Sequence, residues 1–120
     1  MTQGIEMKAK IEEFVDRDTY RKAPLFEGEL PEGSYAQIVE IKPKQRVPKH
    51  YHEKQYELFC IISGEAKLSI GGGEYNAKPG DIYLVKPKTI HWVVNEREEP
   101  FRLFVVKLNY FGEDTVWLED

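Results

Sequence analysis

The sequence predicts an all-β domain, a sandwich or barrel built from short antiparallel strands. Two observations carry this. Apolar and polar residues alternate with the period of half-buried strands in a series of short runs, and Gly, Pro, Asp and Asn clusters separate those runs at regular intervals. At 120 residues the chain is about one domain's worth, so residues 1–120 are read as one unit: a strand and irregular connection over 1–34, a barrel over 35–108 and a C-terminal tail over 109–120.

Each element follows from local chemistry. Ile5, Met7, Ala9 and Ile11 alternate with Glu6, Lys8 and Lys10, which predicts an N-terminal strand, with a short helix as the competing reading. From Asp16 to Gly33 the chain carries Pro24, Gly28, Pro31 and Gly33 without sustained periodicity and reads as irregular. Tyr35 to Ile41 is a β-rich run ending before Pro43, and Tyr56 to Ile62 is another, closed by a Ser63-Gly64 turn. Glu65 to Ile70 follows, and the Gly71-Gly72-Gly73 triplet supplies a hairpin turn because glycine adopts positive φ without steric cost. Pro79-Gly80-Asp81 turns the chain into Ile82 to Val85, and Trp92 to Val94 and Phe101 to Leu108 complete the pattern around the polar stretch Asn95 to Pro100.

Composition restricts the function classes. Apolar residues make up 41% and charged residues 32%, the balance of a folded soluble domain. A net charge of -4 argues against broad electrostatic capture of nucleic acid, which needs a basic face. No apolar run approaches the roughly 18 to 20 residues of a membrane span, and the Glu/Lys-rich start lacks a signal peptide's apolar stretch. A single cysteine, Cys60, cannot form an intrachain disulfide. The expected location is cytoplasmic, with neither membrane nor nucleic acid as partner.

The chemistry is concentrated in three histidines and a glutamate. His50 and His52 are two apart, so on a strand both project from one face. Glu57 has the wrong parity for that face unless a turn intervenes, and Glu53-Lys54-Gln55 is polar enough to provide one. A carboxylate opening the apolar run Leu58 to Ile62 is costly to bury unless it is paired or coordinated. His91 opens a second strand at Trp92. Imidazoles with one carboxylate suit a divalent transition metal: iron, manganese, nickel, cobalt, zinc or copper.

In order and spacing these residues resemble a known family. His50-Tyr51-His52, then Glu57, then Gly64 are similar to the first cupin motif, and Gly80, Lys86, Lys88, His91 and Asn95 fall at the spacings of the second. Lys44 stands where the first motif usually has glycine, and Lys86 and Lys88 where the second usually has proline and glycine. The resemblance implies a double-stranded β-helix, or jelly-roll barrel, with His50, His52, Glu57 and His91 as ligands of one metal ion and Asn95 as a structural residue.

Further expectations concern the ligand. Lys42, Lys44, Arg46 and Lys49 precede the histidine pair, and Lys86 and Lys88 precede His91, which suggests a mouth that attracts an anionic molecule. Strand parity suggests Gln37, Phe59 and Tyr83 as pocket residues beside Arg46, Lys86 and Lys88. Sequence proximity nominates Tyr56, Lys86 and Lys88 as bases. The ending Tyr110-Phe111-Gly112-Glu113-Asp114 resembles the close of the cupin region in type II phosphomannose isomerases. That implies a sugar-phosphate isomerase or epimerase-like activity, although those isomerases continue to a basic site residue and this sequence stops at Asp120.

Three other functions use the same residues: a metal-dependent dioxygenase, a non-enzymatic small-molecule-binding module, and a structural zinc site closed by all four ligands. Cys60 is expected to pack in a strand interior. The alternating N-terminal strand suggests a homodimer in which it extends a partner's sheet.

Overall fold

The computed structural model describes Lys8 and residues 14–119; apart from Lys8, the expected strand over Ile5 to Ile11 lies outside the described residues. Within them the chain forms eleven strands and no helix: β1 (Val15–Asp16), β2 (Tyr20–Leu25), β3 (Ser34–Ile41), β4 (Arg46–His52), β5 (Tyr56–Ser63), β6 (Ala66–Ile70), β7 (Gly73–Ala77), β8 (Ile82–Val85), β9 (His91–Val94), β10 (Phe101–Leu108) and β11 (Thr115–Trp117). Among the described residues no helix is long and apolar enough to cross a membrane. Two antiparallel sheets, ordered β1-β2-β3-β10-β5-β8 and β11-β4-β9-β6-β7, face each other as the predicted double-stranded β-helix.

Period-two patterning decides which face is buried. Along β10, Phe101, Leu103, Val105 and Lys107 point between the sheets and are buried, while Phe104 and Val106 alternate outward. Val39, Ile41, Phe59, Ile61, Leu68, Val85 and Val93 meet them from the other strands. Burying each large side chain of this set contributes about 1.5–3 kcal/mol. A second cluster, Ala23, Leu25, Ala36 and Ile38 against Phe14, Phe26 and Phe104, lies on the outer face of the six-stranded sheet. On that face Glu40 sits between its register neighbours Arg21 and Arg102 and accepts hydrogen bonds from both.

Three features depart from expectation. Tyr20 to Leu25 is a regular strand, not irregular chain; Pro24 is tolerated because β1 pairs only with Arg21 and Lys22 and does not reach it. Thr115 to Trp117 pairs with the edge of β4 and is part of the sheet, too short for its sequence to reveal alternation. Cys60 is half-buried on the outer face, with Phe104 and Ile82 as cross-strand neighbours, and is not inside the barrel.

The turns explain the substituted motif positions. Lys44 and Lys88, which stand where glycine is usual, have φ of 60° and 62°, so both loops keep the left-handed backbone at a cost of about 1–2 kcal/mol per residue. Gly64 cannot be exchanged so easily, since a Cβ there would collide with the Pro100 carbonyl oxygen. Asn95 is fully buried and satisfied as a strand-end clamp: its amide nitrogen donates to the Ile41, Lys42 and Glu99 carbonyls and its oxygen accepts from the Arg97 N–H.

Candidate metal centre

Three strands bring the four ligand-type residues together on the inner faces. His50 and His52 project from one side of β4, and His50 lies opposite His91 of β9, after a register shift between Val47 and His50. The chain bends at Glu53 and Lys54, which restores Glu57 of β5 to the inward face, as the parity argument requires. All four side chains are at most 8% exposed. One nitrogen from each of His50, His52 and His91 lies within 4.8 Å of the other two, a spacing that fits a common ion.

The hydrogen-bond partners fix which nitrogens face inward. His50 Nδ1 donates to the Pro48 carbonyl at 2.7 Å and His91 Nδ1 to the Thr89 carbonyl at 2.9 Å. Carbonyls only accept, so these Nδ1 atoms carry the proton, and in the neutral imidazole each Nε2 presents a lone pair. His52 reaches the same state by another route. Thr115 donates its hydroxyl to Glu113 and its oxygen therefore accepts from His52 Nδ1, 3.0 Å away. Asp114 supports this corner: one carboxylate oxygen accepts the Lys54 and Gln55 N–H groups, and the other lies 3.6 Å from His52 Nδ1. The Lys88 N–H holds the His52 carbonyl at 2.7 Å.

Acceptors consequently converge with nothing between them. His52 Nε2 and His91 Nε2 lie 2.8 and 3.2 Å from the same oxygen, Glu57 Oε1. All three atoms are buried and none has a hydrogen-bond partner of proper geometry. Lone pairs pressed together in a low-dielectric interior are unfavourable unless a cation is shared among them. The donor set therefore fits a divalent transition metal on its own chemistry. Burial raises the Glu57 carboxyl and positive charge on the His52–His91 side lowers it far below the usual range, a charge that a shared cation supplies where both Nε2 atoms present lone pairs. Burial, followed by the charge of His91, pushes His50 down to about 4.

The four residues open onto a cavity of about 130 Å³ between the sheets. Gln37 and Phe59 line it as expected. The other nominated residues do not. Tyr56 is one position from Glu57 and so points to the outer face. Tyr83 packs toward the core away from the cavity, in tilted ring contact with Tyr75 and donating to Asp81. Lys86 and Lys88 lie exposed in the turn after β8. Arg46 is paired with Glu119, Lys42 with Asp16 and Lys44 with Glu98, while Lys49 lies over the Trp92 ring. The lysines that do line the cavity are Lys22 and Lys107, with Tyr20, Glu113, Thr115 and Trp117 beside them. Sequence reading missed Lys22, Tyr20 and the C-terminal group because β2 and β11 were not recognised as strands. Lys107 carried a legible signal, since it continues the buried parity of Phe101, Leu103 and Val105.

Comparison with known proteins agrees with this architecture. The chain is 25% identical over 79 residues to mannose-1-phosphate guanylyltransferase RfbM of Salmonella typhimurium, covering 65% of this chain and 16% of that protein. It is 29% identical over 83 residues to the uncharacterized protein MJ1618 of Methanocaldococcus jannaschii, covering 68% of this chain and 65% of that one. It thus spans less than two thirds of the length of both. Among solved structures, plu4264 from Photorhabdus luminescens superposes with a TM-score of 0.77 at 18% identity, over 88% of this chain and 90% of that chain. The cupin domain family model matches residues 37–107, and the chain belongs to that family.

Proposed function

From membership of the cupin family we propose that this chain is a metal-dependent enzyme that moves a proton on a small, hydroxylated anionic molecule, an isomerase or epimerase-like reaction. The observation that carries the reading is the convergence of His52 Nε2, His91 Nε2 and Glu57 Oε1 without a partner, beside His50, at the wall of a cavity. A divalent metal held by His50, His52, Glu57 and His91 would supply Lewis-acid polarisation of a substrate oxygen.

The rest of the cavity provides proton-transfer groups. Burial raises the Tyr20 phenol above its ordinary value, so it is neutral and a donor at pH 7. Burial works against ionisation of Glu113, but the hydroxyl and N–H of Thr115, followed by the charge of Lys107, hold its carboxyl below the usual range, so it is an acceptor. Two titratable groups pushed apart in one cavity are the arrangement that acid–base chemistry requires. The partial likeness to RfbM, whose name concerns mannose 1-phosphate, supports a sugar phosphate as the molecule acted on.

Incubation with aldose and ketose phosphates in deuterium oxide under nitrogen tests the reading. Deuterium incorporation at a substrate carbon, abolished by chelator and by Glu113→Gln, is the expected result. Oxygen uptake in place of exchange would establish a dioxygenase, and neither activity with retained ligand binding would establish a binding module.

The proposal includes a cytoplasmic homodimer. Ile62, Ile82 and Leu84 project from β5 and β8 on the outer face of the six-stranded sheet and are 45%, 69% and 48% exposed, an apolar surface suited to a second copy. Sedimentation at micromolar concentration is expected to give twice the chain mass, and a monomer would remove this part.

A further inference from the structure

We propose that Lys107 and Gln37, assisted by Lys22, form a subsite for the charged end of a hydroxylated anion, facing the histidine cluster across the cavity. This deepens the reading of the cavity as a site for a small anion and rests on it.

Lys107 is the one buried lysine among the described residues, at 8% exposure. It has no carboxylate within ion-pairing distance among the ion pairs of the described residues; instead its ammonium lies 4.8 Å from the Tyr110 ring centre and 5.6 Å from that of Tyr35. Ring faces offset part of the cost of burying a cation but supply no counter-charge. Its position is specific: across the β10–β5 ladder Lys107 is the register partner of Glu57, so the cation begins one strand from the ligand cluster on the same inner face. Lys22 lines the cavity too, and burial, then the like charge of Lys107, lowers it from its ordinary value. Glu113 faces this pair from β11's side and Glu27 acts on Lys22; Glu113 is engaged by Thr115 and does not neutralise Lys107 at contact distance.

Gln37 supplies an independent observation. It is 6% exposed, lines the cavity, and its side-chain oxygen has no partner. An orphaned buried acceptor lining the same cavity as two lysines calls for a ligand with a hydroxyl to donate and an anionic group to accept. Size narrows the class. A protein cavity of about 150 Å³ holds a benzene-sized molecule, so the 130 Å³ here encloses a fragment of about six non-hydrogen atoms. The dimensions and donors together select a short hydroxy-carboxylate, or the phosphate-bearing end of a longer sugar that extends through the mouth.

The test uses glycolate and inorganic phosphate as probes and ethylene glycol as the neutral control, followed by calorimetry and by NMR shifts at Lys107 and Gln37, on zinc-loaded and metal-free protein. Wild type is expected to bind glycolate at least tenfold more tightly than ethylene glycol. Lys107→Met should lose that preference, Lys107→Arg should keep part of it, and Gln37→Leu should weaken glycolate several-fold while leaving phosphate less affected. Lys107→Met removes an unpaired buried charge, so a retained or raised thermal midpoint verifies its fold. Glycolate bound equally by wild type and folded Lys107→Met, or no preference over ethylene glycol in wild type, overturns the subsite. Failure of zinc to bind wild type, with Lys107-dependent anion binding intact, would instead overturn the metal reading and leave the subsite standing.

Discussion

Two glutamates are buried on opposite faces of the same six-stranded sheet, and their surroundings differ in kind. Glu40, on the outer face, is saturated: Arg21 donates to one oxygen and Arg102 to the other at 2.8 Å. Glu57, on the inner face, is 2.8 and 3.2 Å from imidazole nitrogens that present lone pairs in the neutral rings. The first is a closed ion-pair triad that stabilises the folded chain. The second is stable only with something added, which is what separates a binding centre from a structural salt bridge of equal burial.

The largest expected effect comes from adding the missing cation. Zinc or manganese at a thousandfold excess over its dissociation constant should stabilise the wild type by about 4 kcal/mol, a rise in thermal midpoint on the order of 10–15 °C by calorimetry. His91→Ala and Glu57→Gln should lose most of this rise, and Glu40→Gln should keep all of it; a full rise in His91→Ala would erase the distinction between the two faces.

Next in size is the opposite pair of effects without metal. Glu40→Gln should cost about 1.5–3 kcal/mol in urea denaturation at pH 8, the range for charged hydrogen bonds, at its lower end because both arginines are partly exposed. Metal-free Glu57→Gln should cost nothing or gain, since an amide can donate to one bare imidazole nitrogen. The Glu40 difference should also depend on pH. Burial would raise its carboxyl, but hydrogen bonds and charge from Arg21 and Arg102 lower it below the ordinary 4.5. A depressed folded value gives stability present in full above the unfolded value and lost as pH falls through the folded one, so the gap between wild type and Glu40→Gln should close on acidification below about 4.5.

A smaller effect is expected one layer behind the ligands. Thr115→Val keeps the side-chain shape but removes the oxygen that accepts from His52 Nδ1, and metal affinity should fall about 10- to 100-fold in a competition titration. The smallest concerns the turn. Lys88→Gly relieves a left-handed residue whose side chain is exposed, and should stabilise by up to about 1 kcal/mol while leaving the Lys88 N–H on the His52 carbonyl. Destabilisation by Lys88→Gly would show that the loop, not the residue, carries the conformation.

Much of the barrel was legible because alternation on β3, β5, β6, β8 and β10 is long enough to expose its period. The candidate ligands were legible because two residues on one strand face need no tertiary information, and because an inward carboxylate in an apolar strand stands out. What failed was the surface chemistry. Lysines adjacent in sequence to the histidines proved to be paired elsewhere or exposed, since a strand sends neighbouring residues to opposite faces and a loop sends them to solvent.

The sequence by itself determined the all-β class, the strand parity of the core and the identity of the four ligand-type residues, because each depends on local periodicity and residue chemistry. Only the tertiary structure decided which cations enter the cavity and what orients His52. Lys22, Lys107, Glu113 and Thr115 come from β2, β10, the approach to β11 and β11 itself, and they meet only when the two sheets close. Their separation along the chain is bridged by sheet pairing, a long-range interaction that leaves a local mark only at Lys107, through the parity of β10.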